Sequence, residues 1–247
     1  MSKILLIETA TEVCSAAIAV DGEVVALEES SEGGNHAALL TLQIDTCSKK
    51  SGIALKDLDA VAISRGPGAY TSLRVGASVA KGICYALDKP LIAVDTLQAL
   101  AWAAKKWFDQ EHGGVPDPVF IPALDARRQE IWTGKYSATL TELAPAQALI
   151  LENNLFSEFV LSGAKPENLS CAVICGNGSE KIRNGQNVEL PVFYPKIYCS
   201  SVHLGPISEK IFQLADFQDI AYFEPFYMKA PNITSQKKNL LKGPNAI

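Results

Sequence analysis

Residues 65–76, RGPGAYTSLRVG, form the segment of this sequence that is best suited to hold a ligand. A glycine turn that leads into a helix can bind phosphate, because the free backbone amides at a helix N-terminus attract anions. The same glycines also let two pieces of protein come very close. We expect Thr71 or Ser72 to cap the helix that follows. A contact with protein is the favoured interpretation of this turn, and an anion at Thr71 is the secondary alternative.

The histidines and cysteines lack the spacing of a metal or nucleophile site. Two histidines four residues apart on a helix share one face and can hold a metal, but His36 is followed by Leu39 and Leu40. His112 and His203 stand alone, and no G-x-S-x-G motif is present. We therefore predict neither a metal site nor a peptidase. The six cysteines contain no C-x-x-C pair, and we predict buried free thiols.

The charge of the chain limits its partners. A net charge of −5 argues against tight, independent binding of nucleic acid, since neutralisation of phosphate dominates such affinity. A basic tail from about residue 229 differs from the rest: it has no acidic residue and is interpreted as solvated, and its lysines are Lys229, Lys237, Lys238 and Lys242. No apolar run reaches the roughly 18 residues of a membrane span. Because the first residues also lack a signal-peptide core, we predict a cytoplasmic protein.

The order of predicted elements indicates two similar lobes. Residues 1–110 are predicted to form β-β-β-α-β-α-β-α, and 112–118 have the composition of a linker. Three strands, a helix and a strand then restart the pattern in the second lobe, residues 111–247. Such an order predicts an α/β fold with mixed sheets. A last helix near 203–217 is expected to pack either within the second lobe or back on the first.

The helix predicted at residues 71–87 is apolar on more than one face. A surface helix normally has a single apolar stripe, so this helix should be covered both by its own sheet and by something else. A partner protein is the favoured cover, and the chain's own residues are the alternative. The helix that begins at His36 has a similarly broad apolar face. The predicted partner interface consists of His36, Leu39, Leu40, Ile44, Cys47, Leu73, Arg74, Val75, Gly76, Val79, Lys81 and Ile83.

Four segments of the sequence resemble the TsaB (YeaZ) family: ILLIETATEVCSAAI, SRGPGAYTSLRVGASVAKGI, VDTLQALA and ALDARRQEIW. The resemblance is continuous over about residues 3–135 and returns at EPFYMKAPNITSQKK. It implies two ribonuclease-H-like lobes of the actin, sugar-kinase and Hsp70 type. It also implies a non-catalytic partner of a TsaD-type transferase and a TsaE-type ATPase in the synthesis of threonylcarbamoyladenosine on tRNA. The implied protein is a homodimer in isolation and contacts tRNA only within the complex, through the basic tail. An older label for the family is a glycoprotease-like (M22-like) peptidase.

The resemblance also locates an expected nucleotide cleft, where related ATPases grip phosphate with an acidic residue and a glycine hairpin. Here the corresponding turn, residues 8–12, has no glycine, so we predict a vestigial cleft and no cofactor beyond weak binding of ATP or ADP. A nucleotide-binding ATPase or kinase with its own substrate remains the alternative function. The residues of the predicted cleft are Glu8, Thr9, Thr11, Asp125, Arg127, Gly176 and Gly178.

Overall fold

Two five-stranded mixed sheets organise the protein, as seen in a computed structural model that describes residues 1–31, 35–162 and 169–229. The strands of the first sheet are β1 (Lys3–Glu8), β2 (Cys14–Val20), β3 (Glu23–Ser30), β4 (Ala60–Gly66) and β5 (Leu91–Asp95). The strands of the second sheet are β6 (Pro118–Asp125), β7 (Glu130–Tyr136), β8 (Glu142–Ile150), β9 (Cys171–Cys175) and β10 (Val192–Phe193). The predicted strands are confirmed, and the short β10 was missed.

The two sheets have the same topology. Their strand orders are β3-β2-β1-β4-β5 and β10-β9-β6-β7-β8. In each sheet the first three strands in chain order form an antiparallel meander. The fourth strand pairs in parallel with the first, and the fifth pairs in parallel with the fourth. This repeated order is that of the ribonuclease-H-like lobes in the actin, sugar-kinase and Hsp70 type of fold, so the predicted fold class is confirmed.

Within the described residues, six α-helices cover the sheets. In chain order they are α1 (His36–Ser51), α2 (Tyr70–Leu87), α3 (Thr96–His112), α4 (Leu155–Leu161), α5 (Ser179–Gly185) and α6 (Gly205–Gln213). A 3-10 turn at Ser201–Leu204 precedes α6. No helix within the described residues is long and apolar enough to cross a membrane.

The helix starts differ from the predicted caps. Helix α2 begins at Tyr70, and its N-cap is Ala69, which makes no side-chain capping bond. The predicted caps Thr71 and Ser72 are therefore wrong, because both already lie inside the helix. Helix α3 is capped by Asp95, whose carboxylate accepts hydrogen bonds from two backbone amides of the first turn.

Helices cover both faces of the first sheet. Helices α1 and α2 bury one face, where Ile7 and Ile63 lie in the core. The other face packs against Leu204 and the apolar side of α6, so the helix expected near residues 203–217 lies on the first sheet. Helix α3 contributes to both lobes: Ala99 packs in the core of the first sheet, and Phe108 packs in the core of the second. The two sheets are thus held together through the shared helix α3 as well as through chain connectivity.

The chain after α6 returns to the first lobe as an extended segment, residues 218–229, which we call the strap. The Gln218 amide donates to the Leu91 carbonyl at 2.8 Å, and the Phe226 amide donates to the Arg65 carbonyl at 2.7 Å. Between these points Phe223 is buried in the core under α1 and α2. The basic tail beyond Lys229 lies outside the described residues.

The cysteine prediction is confirmed. All six cysteines are free and buried. Desolvation by burial raises the pKa of the Cys14 and Cys47 thiols to about 11, so both are neutral at physiological pH.

Candidate functional site

The glycine turn before α2 contacts the protein's own chain on both sides. Gly66 has a left-handed φ of 114°, and a Cβ there would overlap the Phe226 carbonyl of the strap. A Cβ on Gly68 would overlap the backbone of Ala10, whose carbonyl accepts the Ala69 amide at 2.7 Å. These glycines therefore serve close packing of the turn between the strap and the β1–β2 turn.

The β1–β2 turn is buried, and its own side chains accept hydrogen bonds from its backbone amides. Glu8 is 1% exposed, and its Oε1 accepts the Ala10 amide at 2.6 Å and the Ser64 hydroxyl at 2.7 Å. Thr11 Oγ1 accepts the Val13 amide at 3.4 Å. Desolvation by burial raises the pKa of Glu8 to about 7. The amides of Ala10 and Val13, which could otherwise turn toward a phosphate, are thus already hydrogen-bonded.

On the side of the second lobe, the predicted cleft residues are also engaged. The carboxylate of Asp125 accepts the Arg127 amide at 2.6 Å and forms an ion pair with Lys181 at 2.7 Å. Gly176 and Gly178 pack against the backbone of β6, where a Cβ on either would overlap Ala123 or Leu124. Their small size brings the start of α5 onto the sheet.

The two lobes meet at a hydrogen-bonded bridge that the sequence did not predict. The side-chain amide of Asn177 donates to Glu12 Oε2 at 2.8 Å, and its oxygen accepts the Asp125 amide at 3.0 Å. The turns predicted to face each other are therefore brought together. The residues that join them, Glu12 and Asn177, sit beside predicted residues, but their pairing spans 165 positions of the sequence.

A metal site has no support from the part of the chain that the structure describes. No group of three or more metal-ligating side chains is assembled there. His36 is buried, and its Nε2 contacts the Thr11 carbonyl at 3.0 Å, so this ring links α1 to the β1–β2 turn.

The predicted partner interface divides into two equal groups. Six of its residues are covered by their own lobe and are unavailable to a partner in this structure: His36, Leu40, Ile44, Cys47, Leu73 and Gly76. Gly76 is the clearest case, because a Cβ there would overlap the Thr9 hydroxyl. The other six stay at least partly accessible: Leu39, Arg74, Val75, Val79, Lys81 and Ile83. Lys81 donates to the Ala221 and Phe223 carbonyls and so anchors the strap.

The outer face of α2 carries an accessible apolar surface. Tyr85 is 85% exposed, and a Cβ on Gly82 would meet nothing within 4 Å. Tyr222 of the strap is 84% exposed and lies beside the carbonyls that Lys81 holds. Sequence reasoning missed Tyr222, which is distant along the chain, and did not include Tyr85 in the predicted interface. We call this set the α2 surface, and it consists of Val75, Val79, Gly82, Ile83, Tyr85, Ala86 and Tyr222.

Comparison with known proteins identifies relatives of this chain. The family model for TsaD, tRNA N6-adenosine threonylcarbamoyltransferase, matches residues 30–223. The tRNA threonylcarbamoyladenosine biosynthesis protein TsaB of Haemophilus influenzae is 34% identical over 52% of this chain and 51% of its own length. The TsaB protein of Escherichia coli is 35% identical over 54% of each chain. The chain thus spans about half the length of these curated relatives.

Solved structures match the fold over nearly the whole chain. YeaZ from Pseudomonas aeruginosa superposes with a TM-score of 0.74 at 23% identity, covering 92% of this chain and all of that one. A second Pseudomonas aeruginosa structure, described as similar to peptidase YeaZ, gives a TM-score of 0.76 at the same identity over 93% of this chain. Among curated proteins this chain is similar to TsaB, and it shares the fold of YeaZ. The family model covers more than half of the chain, so the chain belongs to the family of the TsaD model.

Proposed function

We propose that this chain is a non-catalytic scaffolding subunit in the synthesis of threonylcarbamoyladenosine at A37, the adenosine beside the tRNA anticodon. It would bind and activate a TsaD-type transferase and work with a TsaE-type ATPase. The curated relatives support the pathway, because they are named tRNA threonylcarbamoyladenosine biosynthesis proteins. The role within the pathway is argued from the α2 surface and from the interlobe cleft.

The α2 surface is the observation that carries the proposal. Aromatic side chains as exposed as Tyr85 and Tyr222 are typical of binding sites when they stand beside further apolar residues. Gly82 and Ala86 leave room between them for a second helix to approach closely. The surface therefore fits a helix of a partner. In isolation the same surface would join two copies of this chain, and the transferase would compete with that homodimer.

The interlobe cleft supports a role without catalysis. A nucleotide phosphate would have to compete with the Glu8 carboxyl group for the Ala10 amide and with Asp125 for the ammonium group of Lys181. The alternative, an ATPase or kinase with its own substrate, therefore has less support than the scaffold. Weak binding of ATP or ADP, completed by a partner, is compatible with the proposal.

The substitution Gly82→Glu tests the proposed interface. In the free chain the new carboxylate would meet water, since nothing lies within 4 Å of a Cβ at this position. Pressed into an apolar contact, the charge would be desolvated without a counter-ion, and we expect the affinity to fall by about ten-fold or more. Co-purification with the TsaD-type transferase and light scattering after size exclusion measure the two associations. Circular dichroism checks that the variant is folded.

The matched control is Gln110→Glu, which adds the same charge at an exposed position of α3. We expect this variant to associate like the wild type. A folded Gly82→Glu variant that still forms the dimer and still captures the transferase would contradict the proposed interface.

A further inference from the structure

Tyr222 stands out from a short turn of the strap whose other apolar side chains are covered. Ile220 and Phe223 pack into the core beneath α1 and α2, whereas Tyr222 is 84% exposed. A lone exposed tyrosine is common on protein surfaces, so its exposure alone does not indicate a site. What distinguishes Tyr222 is the backbone that carries it. We call residues 219–223 the Tyr222 turn.

Asp219 holds the first part of the Tyr222 turn. Its carboxylate Oδ1 accepts the Ala221 amide at 2.8 Å and the Tyr222 amide at 3.3 Å. The Phe223 amide donates to the Asp219 backbone carbonyl at 2.8 Å. An aspartate that bonds to amides two and three residues further on fixes the local backbone as an Asx turn. The amide of Tyr222 and those on both sides of it are therefore hydrogen-bonded within the turn.

Lys81 of α2 holds the carbonyls of the same turn. Its ammonium group donates to the Ala221 carbonyl at 3.2 Å and to the Phe223 carbonyl at 3.1 Å, which flank Tyr222 on its two sides. Hydrogen bonds from a charged donor are stronger than those between neutral groups. The buried ring of Phe223 adds a third attachment. Tyr222 is thus fixed in position before any partner arrives, which lowers the entropic cost of binding.

The Tyr222 turn lies against the most exposed part of α2. Lys81 and Tyr85 are four residues apart and so share one face of the helix. Because Lys81 reaches the carbonyls on both sides of Tyr222, the two exposed tyrosines belong to one stretch of surface. Tyrosine is enriched in interface hot spots, since its rigid ring gives a large contact at little cost in conformational entropy. A partner that covers this part of α2 would therefore also meet Tyr222.

From these contacts we infer that Tyr222 is an anchor residue of the proposed interface, and that Lys81 and Asp219 are positioning residues that hold it there. This role deepens the proposed function and rests on it, because that function supplies the TsaD-type transferase as the partner. The transferase would have to offer an apolar pocket for the ring and a hydrogen-bonding group for the hydroxyl.

A second copy of this chain is the less favoured recipient of the Tyr222 ring. In a two-fold dimer, the ring of each copy would have to enter a cavity on the same surface of the other copy. Cavities of about 740 and 330 Å³ in the described part of the chain are lined by other elements, and neither includes a residue of the α2 surface or the strap. We therefore assign the ring to a pocket of the transferase.

The substitution Tyr222→Ala in the full chain tests the anchor. Because the ring is exposed, the melting temperature should stay as in the wild type. The dissociation constant for the TsaD-type transferase, measured by titration calorimetry, should rise by about ten-fold or more. The homodimer, measured by light scattering, should weaken by less than this.

The matched control is Tyr198→Ala, which removes another exposed tyrosine, outside the strap and the α2 surface, and should change neither association. A folded Tyr222→Ala variant that binds the transferase like the wild type would overturn the inference. Loss of the homodimer alone would assign the ring to a second copy and would overturn it as well.

A pair of variants at Asp219 tests the positioning of Tyr222. Asp219→Asn keeps an oxygen that can accept from the Ala221 and Tyr222 amides and should retain most of the affinity for the transferase. Asp219→Ala removes this acceptor and should weaken the binding by about five-fold. Equal affinities for these two variants would show that the turn does not depend on the Asp219 side chain, and its positioning role would be wrong.

Lys81 is tested by its coupling to Tyr222. Lys81→Met removes both bonds to the carbonyls and should weaken the binding of the transferase by about five-fold, whereas Lys81→Arg keeps a donor and should retain most of the affinity. In the Tyr222→Ala background, Lys81→Met should have little further effect, because its role is to hold a ring that is gone. Additive losses would mean that Lys81 contacts the partner directly or stabilises the fold, and its positioning role would be wrong.

The Gly82→Glu variant, measured beside these, separates this inference from the proposed function. If Gly82→Glu loses the transferase and Tyr222→Ala does not, the α2 surface is the interface and only the anchor is wrong. If even the wild type captures no transferase, the proposed function and the anchor fail together.

Discussion

The β1–β2 turn and the turn between β6 and β7 (residues 126–129, the arginine turn) occupy equivalent places in two sheets of the same topology, yet their environments are opposite. Thr9 and Thr11 are buried beneath α2 and the glycine turn, whereas Arg127 and Arg128 are exposed. The difference arises from what covers each turn. Gly68 and Gly76 let the backbone of the first lobe pack closely against the β1–β2 turn. The second turn is instead held by a hydrogen bond from Lys181 to the Arg128 carbonyl. Duplication of a fold therefore fixes where a turn lies but not what it does.

The largest expected effect concerns the buried carboxyl of the first turn. Its pKa is about 7 in the folded protein against 4.5 when unperturbed, so between these values the folded protein holds a proton that the unfolded chain has lost. Stability should therefore fall as the pH rises from 4.5 to 7 and level off above. The substitution Glu8→Gln keeps an oxygen that can accept from Ala10 and Ser64. It should raise the free energy of unfolding by about 3 kcal/mol above pH 7.

Urea denaturation of Glu8→Gln and wild type across this pH range measures the difference. The gain should shrink toward zero below pH 4.5, where the wild-type carboxyl becomes protonated in the unfolded as well as in the folded state. The exposed Glu23→Gln serves as the control and should show no such pH-dependent gain. A constant difference at all pH values would mean that Glu8 is not buried as a proton-holding carboxyl, and the contrast between the two turns would weaken.

The intermediate effect comes from two glycines in one helix. A Cβ on Gly76 would overlap Thr9 of the buried turn and press on Ile63, whereas a Cβ on Gly82 would meet open space. Gly76→Ala should therefore destabilise the protein by about 2 kcal/mol through overpacking. Gly82→Ala should stabilise it by up to about 1 kcal/mol, because alanine is the better helix former.

Thermal unfolding of both variants at low protein concentration compares them, and each serves as the other's control. Equal gains in thermal stability for the two variants would show that the Thr9 side chain moves aside at little cost. The β1–β2 turn would then be less tightly packed than its contacts indicate.

The sequence predicted the sheets well because their signals are local. Apolar runs such as KILLIE and the Asp21-Gly22 turn specify strands and a hairpin without help from distant residues. The short strand β10 was missed, since it has too few residues to show a period. The cap of α2 was predicted from residue type alone. The helix begins earlier, where the Leu73 amide bonds to the Ala69 carbonyl.

The candidate site was only partly predictable, because apolar residues look alike whether they face their own sheet or a partner. Leu40 and Leu73 are core residues, and nothing in their type distinguishes them from Val79 on the α2 surface. The strap could not be predicted, because Lys81 bonds to a carbonyl 142 positions away. The ion pairs of Asp125 with Lys181 and of Glu130 with Lys229 were likewise hidden, because they join residues that are distant along the chain.

The smallest expected effect concerns the ion pair and hydrogen bonds through which Lys181 holds the arginine turn. Lys181→Met keeps most of the side-chain length but removes the ion pair with Asp125 and the bonds to the Arg128 and Glu130 carbonyls. Since Asp125 is 40% exposed, water screens the ion pair, and we expect a loss of only about 1 kcal/mol. The loss should be local. Exchange of the Glu130 amide, which bonds to the Arg127 carbonyl at 3.2 Å, should quicken by about five-fold.

Hydrogen exchange measured by NMR at two amides decides whether Lys181 stabilises one turn locally or the whole protein. The Ala10 amide of the first turn is bonded to Glu8 and lies in the other lobe, so its exchange should not change. Lys196→Met, an exposed lysine on the second lobe, should leave both amides as they are in the wild type. Faster exchange at Ala10 as well as at Glu130 would mean that Lys181 stabilises the protein globally. The two turns would then open together, and Lys181 would not stabilise the arginine turn independently of the first lobe.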